Sequence, residues 1–216
     1  MLDLDLTTLI SRLIVLATAF SVHEFAHAWT ANYFGDDTPR LNGRLTLNPA
    51  AHLDPLGSLM LIVAGFGWAK PVQVNPYALQ RRSPAALMWV ALAGPMSNLL
   101  MAIVAALPLR LGLNAAYAVY PGNFALATVS ELLYDFVFIN LLLMLFNLLP
   151  ISPLDGDKIA DYLLPPAGKD VLAKMRPYGP MILMLVIVGG PYIGIDLFQW
   201  IIFPPLRFLY RLLVGF

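Results

Sequence analysis

The chain has 216 residues, of which 59% are apolar and 12% charged, and its mean hydropathy is +0.74; ordinary soluble domains carry roughly 25% charged residues, so a soluble domain is excluded. Thirteen basic residues balance thirteen acidic ones, which leaves no electrostatic ground for nucleic acid as a partner. Cysteine is absent, which removes disulfides, thiolate metal sites and Cys nucleophiles and leaves His and carboxylate as the means of holding a metal.

The opening MLDLDL has no basic n-region and no small-residue cleavage pattern after it, so the first apolar segment is expected to be retained. A crossing helix needs about 20 apolar residues, and stretches 13–34, 85–109 and 129–149 meet that length. Ser83-Pro84 announces the second as an N-cap followed by a first-turn proline, and Thr128-Val-Ser-Glu131 opens the third with a capping-box pattern. Between the first two spans, 56–68 is apolar but too short to cross and holds Gly57, Gly65 and Gly67, which reads as a re-entrant or interfacial element. Around it, Arg44-Leu-Thr-Leu-Asn48 and Pro71-Val-Gln-Val-Asn75 alternate polar and apolar residues and are expected to form a short membrane-associated β-element.

After residue 178 the chain is apolar again but broken by Gly189-Gly190-Pro191, giving one bent span or a helical hairpin. Arg207 and Arg211, one turn apart, suit a snorkelling or interfacial face, and Trp68, Trp89 and Trp200 suit interfacial anchors or packing. Arg40, Arg44, Lys70, Arg81 and Arg82 follow the first span, and Lys158, Lys169, Lys174 and Arg176 follow the third, whereas the loop between the second and third has Arg110 alone. The positive-inside rule puts the two basic loops in the cytoplasm and the acidic N-terminus outside. The expected architecture is therefore an all-α polytopic membrane protein with three transmembrane helices and a C-terminal span or hairpin, folded as one membrane-embedded domain over 1–216.

The first span contains His23-Glu24-Phe25-Ala26-His27, which concentrates two of the three histidines and one of the two glutamates inside an apolar helix. Ionisable groups at membrane depth are costly and point to function. Positions four apart share a helix face, so both imidazoles can bind one cation while Glu24, about 100° round the helix, reaches a water on it. This is the H-E-x-x-H pattern of zinc hydrolases. A pair of buried polar residues stapling helices together would not need a glutamate at that offset. Catalytic zinc takes a third protein ligand; Asp155, in a stretch with Pro150, Pro153 and Gly156 that predicts unwound backbone, leads over Asp157, Asp161 and His52.

With Gly43-Arg-Leu-Thr-Leu-Asn-Pro49, His52-Leu-Asp-Pro-Leu-Gly57, Gly67-Trp-Ala-Lys-Pro-Val-Gln-Val-Asn-Pro76, Gly94-Pro-Met-Ser-Asn98 and the run from Asn147 to Gly156, the chain resembles the site-2 protease family of intramembrane zinc metalloproteases, in a short form without PDZ or CBS domains. The resemblance implies that His23, His27 and Asp155 bind one Zn2+ and that Glu24 is the catalytic base. It implies further that Asn98 braces the helices, that Asn147 contacts substrate backbone, and that Val72, Gln73 and Val74 offer an edge to an extended substrate. Ser152, where the family commonly has proline, and Asp157, where it often has glycine, depart from the pattern without touching a proposed ligand. His52 and Asp54 read as a loop turn, with a secondary contact near the metal as the sharper alternative.

The implied activity is regulated intramembrane proteolysis: hydrolysis of peptide bonds in or near transmembrane segments of membrane-protein substrates. The protein would lie in the lipid bilayer of the cell (inner) membrane with its site toward the cytoplasmic side. Its partners would be a transmembrane protein substrate and an upstream protease or regulator not named by the sequence. An ion transporter using the same His and Asp residues, and a catalytically silent client binder, are the rival classes; intact Glu24 argues against the second.

Overall fold

The computed structural model describes residues 6–55, 57, 69–113, 124–190, 194, 196 and 198–215. Among them the architecture is all-helical. Helix α1 (Leu6–Tyr33) is followed by two single turns, α2 (Thr38–Leu41) and α3 (Pro49–His52), then α4 (Pro76–Arg82) and α5 (Ala86–Pro108), which continues into a π-turn at Leu109–Leu113. After α6 (Phe124–Asn147) come α7 (Asp155–Leu163), α8 (Pro166–Met175), α9 (Gly179–Met184) and α10 (Phe203–Val214).

Helix α5 is the centre of the assembly and packs against α1, α6, α7, α4 and α10. Its buried face is made of small residues, Ala102, Ala105 and Ala106, set against Val137, Leu141 and Met144 of α6 and Ile202, Leu206 and Val214 of the C-terminal segment. Small residues let helix backbones approach closely where lipid removes the hydrophobic drive between helices. On its other flank Leu100, Ile103, Val104 and Leu107 are exposed, an apolar face that suits contact with acyl chains. A second cluster, Ala31, Leu79, Ala86 and Val90, ties α1 and α4 to the start of α5.

Among the described residues, two helices are long and apolar enough to cross a bilayer, Ala86–Leu113 and Thr128–Asn147, and they support membrane association. Helix α1 has 28 residues, about 42 Å of rise, but His23, Glu24 and His27 dilute its apolar character; the expected third crossing is not among the two. The third span's helix begins at Phe124, so Thr128-Val-Ser-Glu131 lies in its second turn and is not its start. The sequence before it, Phe-Ala-Leu-Ala, extends the helix backwards because Ala and Leu are strong helix formers.

The expected β-element is a correction. Among the described residues there is no strand, only an isolated antiparallel bridge between Leu53 and Ala69. Residues 71–75 carry no helix or strand, and side-chain carboxylates take two of their backbone donors: Val72 N–H donates to Glu24 Oε2 at 3.0 Å and Asn75 N–H to Asp36 Oδ2 at 2.6 Å. Pro71 has no N–H to give. The segment 71–75 is therefore held at Val72 and Asn75 by side chains of α1 and of the turn after it, and not by a neighbouring strand. The apolar run at 56–68, Trp68 included, lies outside the described residues apart from Gly57, and so does the Pro191 part of the C-terminal break. That break has Gly190 before it and Gly194 at φ +76° after it.

Candidate metal centre

Three elements distant in sequence converge on one point. His23 and His27 stand one turn apart on α1 with ring centroids 4.6 Å apart, and Asp155 is the first residue of α7. His23 Nε2 and His27 Nε2 are 2.9 Å apart, and Asp155 Oδ2 is 3.2 Å from the first and 3.1 Å from the second. All three residues are buried, as is Glu24.

The other ring nitrogens identify what faces inward. His23 Nδ1–H donates to Asn98 Oδ1 at 2.6 Å, and His27 Nδ1–H donates to the Val90 carbonyl at 2.7 Å. With each Nδ1 proton committed to an oxygen, the neutral rings turn two Nε2 lone pairs toward a carboxylate oxygen, three acceptors with no proton among them. Such a cluster needs a positive charge at its centre. Tetrahedral zinc with N and O ligands at about 2.0–2.2 Å sets those atoms about 3.3 Å apart. The observed triangle fits after a shift of a few tenths of an ångström, and three protein ligands leave a fourth position for water.

Local sequence explains why the helices can come this close. Val90, Gly94 and Asn98 lie four apart on one face of α5, opposite His27 and His23. A Cβ at Gly94 would stand 2.4 Å from His27 Nε2 and 2.6 Å from His23 Cε1, so α5 meets the imidazoles with bare backbone. Pro95, fully buried, removes one i→i−4 bond from the same turn. We expect Gly94→Ala to push α5 and the imidazoles apart, at about 1–3 kcal/mol of packing strain; thermal melting and zinc content of the purified variant check this, and wild-type values for both would contradict it.

Asp155 is delivered by a tight turn. Pro150 and Pro153 block helix continuation after α6, and Leu149, Ile151 and Leu154 N–H groups satisfy nearby carbonyls instead. A Cβ at Gly156 would meet the Leu149 carbonyl oxygen at 2.2 Å, and one at Gly179 would meet the Ser152 carbonyl oxygen at 2.1 Å. Asp155 and Asp157 both lie in the first turn of α7, where the helix dipole favours negative charge.

The competing ligands go elsewhere. Arg176 Nε donates to both oxygens of Asp157 at 3.0 Å and its Nη2 donates to Asp161 Oδ1 at 2.6 Å, a clamp that fastens the segment after α8 to α7. His52 is fully buried, with Nε2–H donating to the Thr46 carbonyl at 2.7 Å and Nδ1 without a partner among the described residues, and Asp54 accepts from the Gly57 N–H. Asn147 gives its Nδ2–H to Leu143 O of its own helix at 3.0 Å, and Gln73 Oε1 accepts from Asn42. Lys158 approaches Asp155 Oδ1 at 3.5 Å. Trp89 and Trp200 are exposed, as interfacial anchors would be.

Two residues carry weight that the sequence reading did not assign. Asp36, almost fully buried, accepts the N–H groups of Thr38 and Asn75 and so fixes the segment that covers Glu24. Asn140, fully buried on α6, accepts from Asn98 Nδ2 at 2.8 Å. A polar amide inside an apolar span was the signal for the second; nothing in Gly35-Asp-Asp-Thr38 separates Asp36 from a solvated turn acid.

Comparison with known proteins gives the family. The family model for peptidase family M50 matches residues 111–190. The chain is 42% identical over 186 residues to the candidate zinc metalloprotease YwhC of Bacillus subtilis, covering 83% of this chain and 82% of YwhC. It is 32% identical over 175 residues to Rip2 of Mycolicibacterium smegmatis, again named as a candidate zinc metalloprotease, covering 77% of this chain and 62% of that one. Rip2 of Mycobacterium tuberculosis is 32% identical over 176 residues, covering 79% and 63%. No solved structure matches the chain significantly. With four-fifths of YwhC covered at this identity and a His-His-Asp group able to hold a metal, the chain belongs to peptidase family M50, the zinc-dependent metalloproteases.

Proposed function

We propose that His23, His27 and Asp155 are the zinc ligands, that Glu24 is the general base, and that the protein hydrolyses peptide bonds in or near transmembrane segments of other membrane proteins. The observation that carries the ligand set is the cluster of three acceptor atoms within 3.2 Å of one another. Bound there, zinc would act as Lewis acid on the scissile carbonyl and lower the pKa of a water toward about 7.

The chain's own residues do the rest. Glu24, between the two histidines on α1, accepts the proton of the attacking water and returns it to the leaving amine. Burial of the carboxylate keeps bulk water from competing for that proton, and the Val72 N–H fixes the position of Oε2. The segment Val72, Gln73 and Val74 meets the base through the Val72 N–H, so a substrate laid along it would be brought to the site. A transmembrane helix hides its carbonyls in its own hydrogen bonds, and pairing with extended chain replaces those bonds as the helix unwinds. Asn147, at the end of α6, would contact substrate backbone by exchanging its Nδ2–H bond to Leu143 O for one to the substrate.

In this reading 1–216 is one membrane-embedded domain, α1 joins α5 and α6 as a third crossing, and the C-terminal segment packs beside them. The basic residues after α1 and α6 put the metal end toward the cytoplasm in a multi-pass protein of the cell membrane.

The test is cleavage of a model single-span membrane protein by the purified chain in liposomes, with bound zinc measured in the same preparation. About one zinc per chain is expected, with cleavage lost on chelation and regained when zinc is returned. Cleavage that survives removal of the metal would refute the proposal, and so would zinc-loaded protein that cuts soluble peptides but no membrane-embedded segment.

A further inference from the structure

The buried amides behind His23 form a chain of hydrogen bonds with a direction. At its far end is a main-chain carbonyl, Phe136 O, which can only accept; Asn140 Nδ2 donates to it at 2.9 Å. The amide of Asn140 is thereby turned so that Oδ1 faces α5, where it accepts from Asn98 Nδ2 at 2.8 Å. That in turn points Asn98 Oδ1 at His23 Nδ1, 2.6 Å away. An oxygen there requires a proton on Nδ1, and a proton on Nδ1 leaves the lone pair on Nε2, the atom that faces Asp155.

Each asparagine could by itself be flipped, which would present an NH2 to the imidazole and force the opposite tautomer. The backbone carbonyl removes that choice for Asn140; for Asn98 it is removed chiefly by Asn140 Oδ1 at 2.8 Å, with the Ala19 carbonyl a longer acceptor for the same Nδ2 at 3.5 Å. Both amides are fully buried, so no water can take over either role.

We propose that Asn140 is a positioning residue of the zinc site: acting through Asn98, it sets the tautomer and orientation of His23 from the backbone of α6. The inference rests on His23 being a zinc ligand. Partners of metal-bound histidines change metal affinity by about 10–100-fold when removed, whereas an interhelical hydrogen bond in a membrane protein contributes little to stability. Loss of Asn140 is therefore expected to cost zinc binding far more than fold.

The experiment is chelator competition for zinc on the full chain in detergent, with helix content and thermal melting followed alongside. Asn140→Leu and the smaller Asn140→Ala are expected to bind zinc about 10–100-fold more weakly than wild type. Asn140→Asp, which keeps an acceptor facing Asn98, is expected to stay within a few-fold of wild type. In an Asn98→Ala background, Asn140→Leu should have no further effect, because the route to His23 is already cut. Wild-type zinc affinity in folded Asn140→Leu or Asn140→Ala would overturn the proposal, as would an undiminished effect of Asn140→Leu without Asn98. His23→Ala separates the two levels of argument: if it binds zinc as wild type does, the ligand assignment itself fails, and if it loses zinc while Asn140→Leu keeps it, only the role of Asn140 fails.

Discussion

Glu24→Gln is expected to retain about one zinc per chain and to lose at least about three orders of magnitude in the rate of substrate cleavage. The amide is isosteric and can still accept the Val72 N–H, so α1 and the segment over it should stay in place. What disappears is the ability to take a proton from water and return it to the amine. General acid–base catalysis contributes typically about 10²–10⁴-fold, and here one carboxylate serves both proton transfers. Zinc content and single-turnover cleavage in liposomes, measured on one preparation, decide it. Cleavage by Glu24→Gln at the wild-type rate would remove Glu24 from the mechanism.

Asp155→Ala is expected to show the complementary pattern, with zinc binding and cleavage lost together. Two neutral imidazoles would remain without the carboxylate that balances the metal's charge. The fall in affinity should exceed the roughly 10–100-fold that removal of a supporting hydrogen-bond partner costs. Neither Asp157 nor Asp161 can take over, because Arg176 binds both. Chelator competition on Asp155→Ala, with Asp157→Ala as the comparison, gives the measurement; undiminished zinc in Asp155→Ala would send the third-ligand assignment elsewhere.

The parts of the site that could be read from sequence were those set by local geometry. His23 and His27 declare themselves because four residues on a helix is one turn, whatever the rest of the fold does. Asp155 depends on a turn built from two prolines and two glycines, and the residues alone could rank it above Asp157 and Asp161 but not separate it from them; a distant arginine makes that distinction. Asn140 stood out only as a polar amide within an apolar 24-residue helix, because its role lies in a partner on another helix. Alternation at 71–75 announced a strand, yet a strand needs a second chain of donors and acceptors, and here two carboxylates take the Val72 and Asn75 N–H groups. The expected spans rest on hydropathy, which His23, Glu24 and His27 lower in α1.

The matched spacing of Val90, Gly94 and Asn98 against His27 and His23 has a consequence for assembly. The two helices carry a ruler. Sliding α5 by one turn, about 5.4 Å, would break both imidazole hydrogen bonds and bring a side chain where bare backbone is required. Asp155 arrives from a third element, so the ion can be held only after α1, α5 and α7 have found their correct alignment. Bound zinc is then a record of correct assembly, and it shifts the folding equilibrium as a ligand does, by about 4 kcal/mol when free metal stands a thousandfold above its dissociation constant. The metal content of a detergent preparation therefore counts the chains whose helices are in register, before any substrate is offered to them.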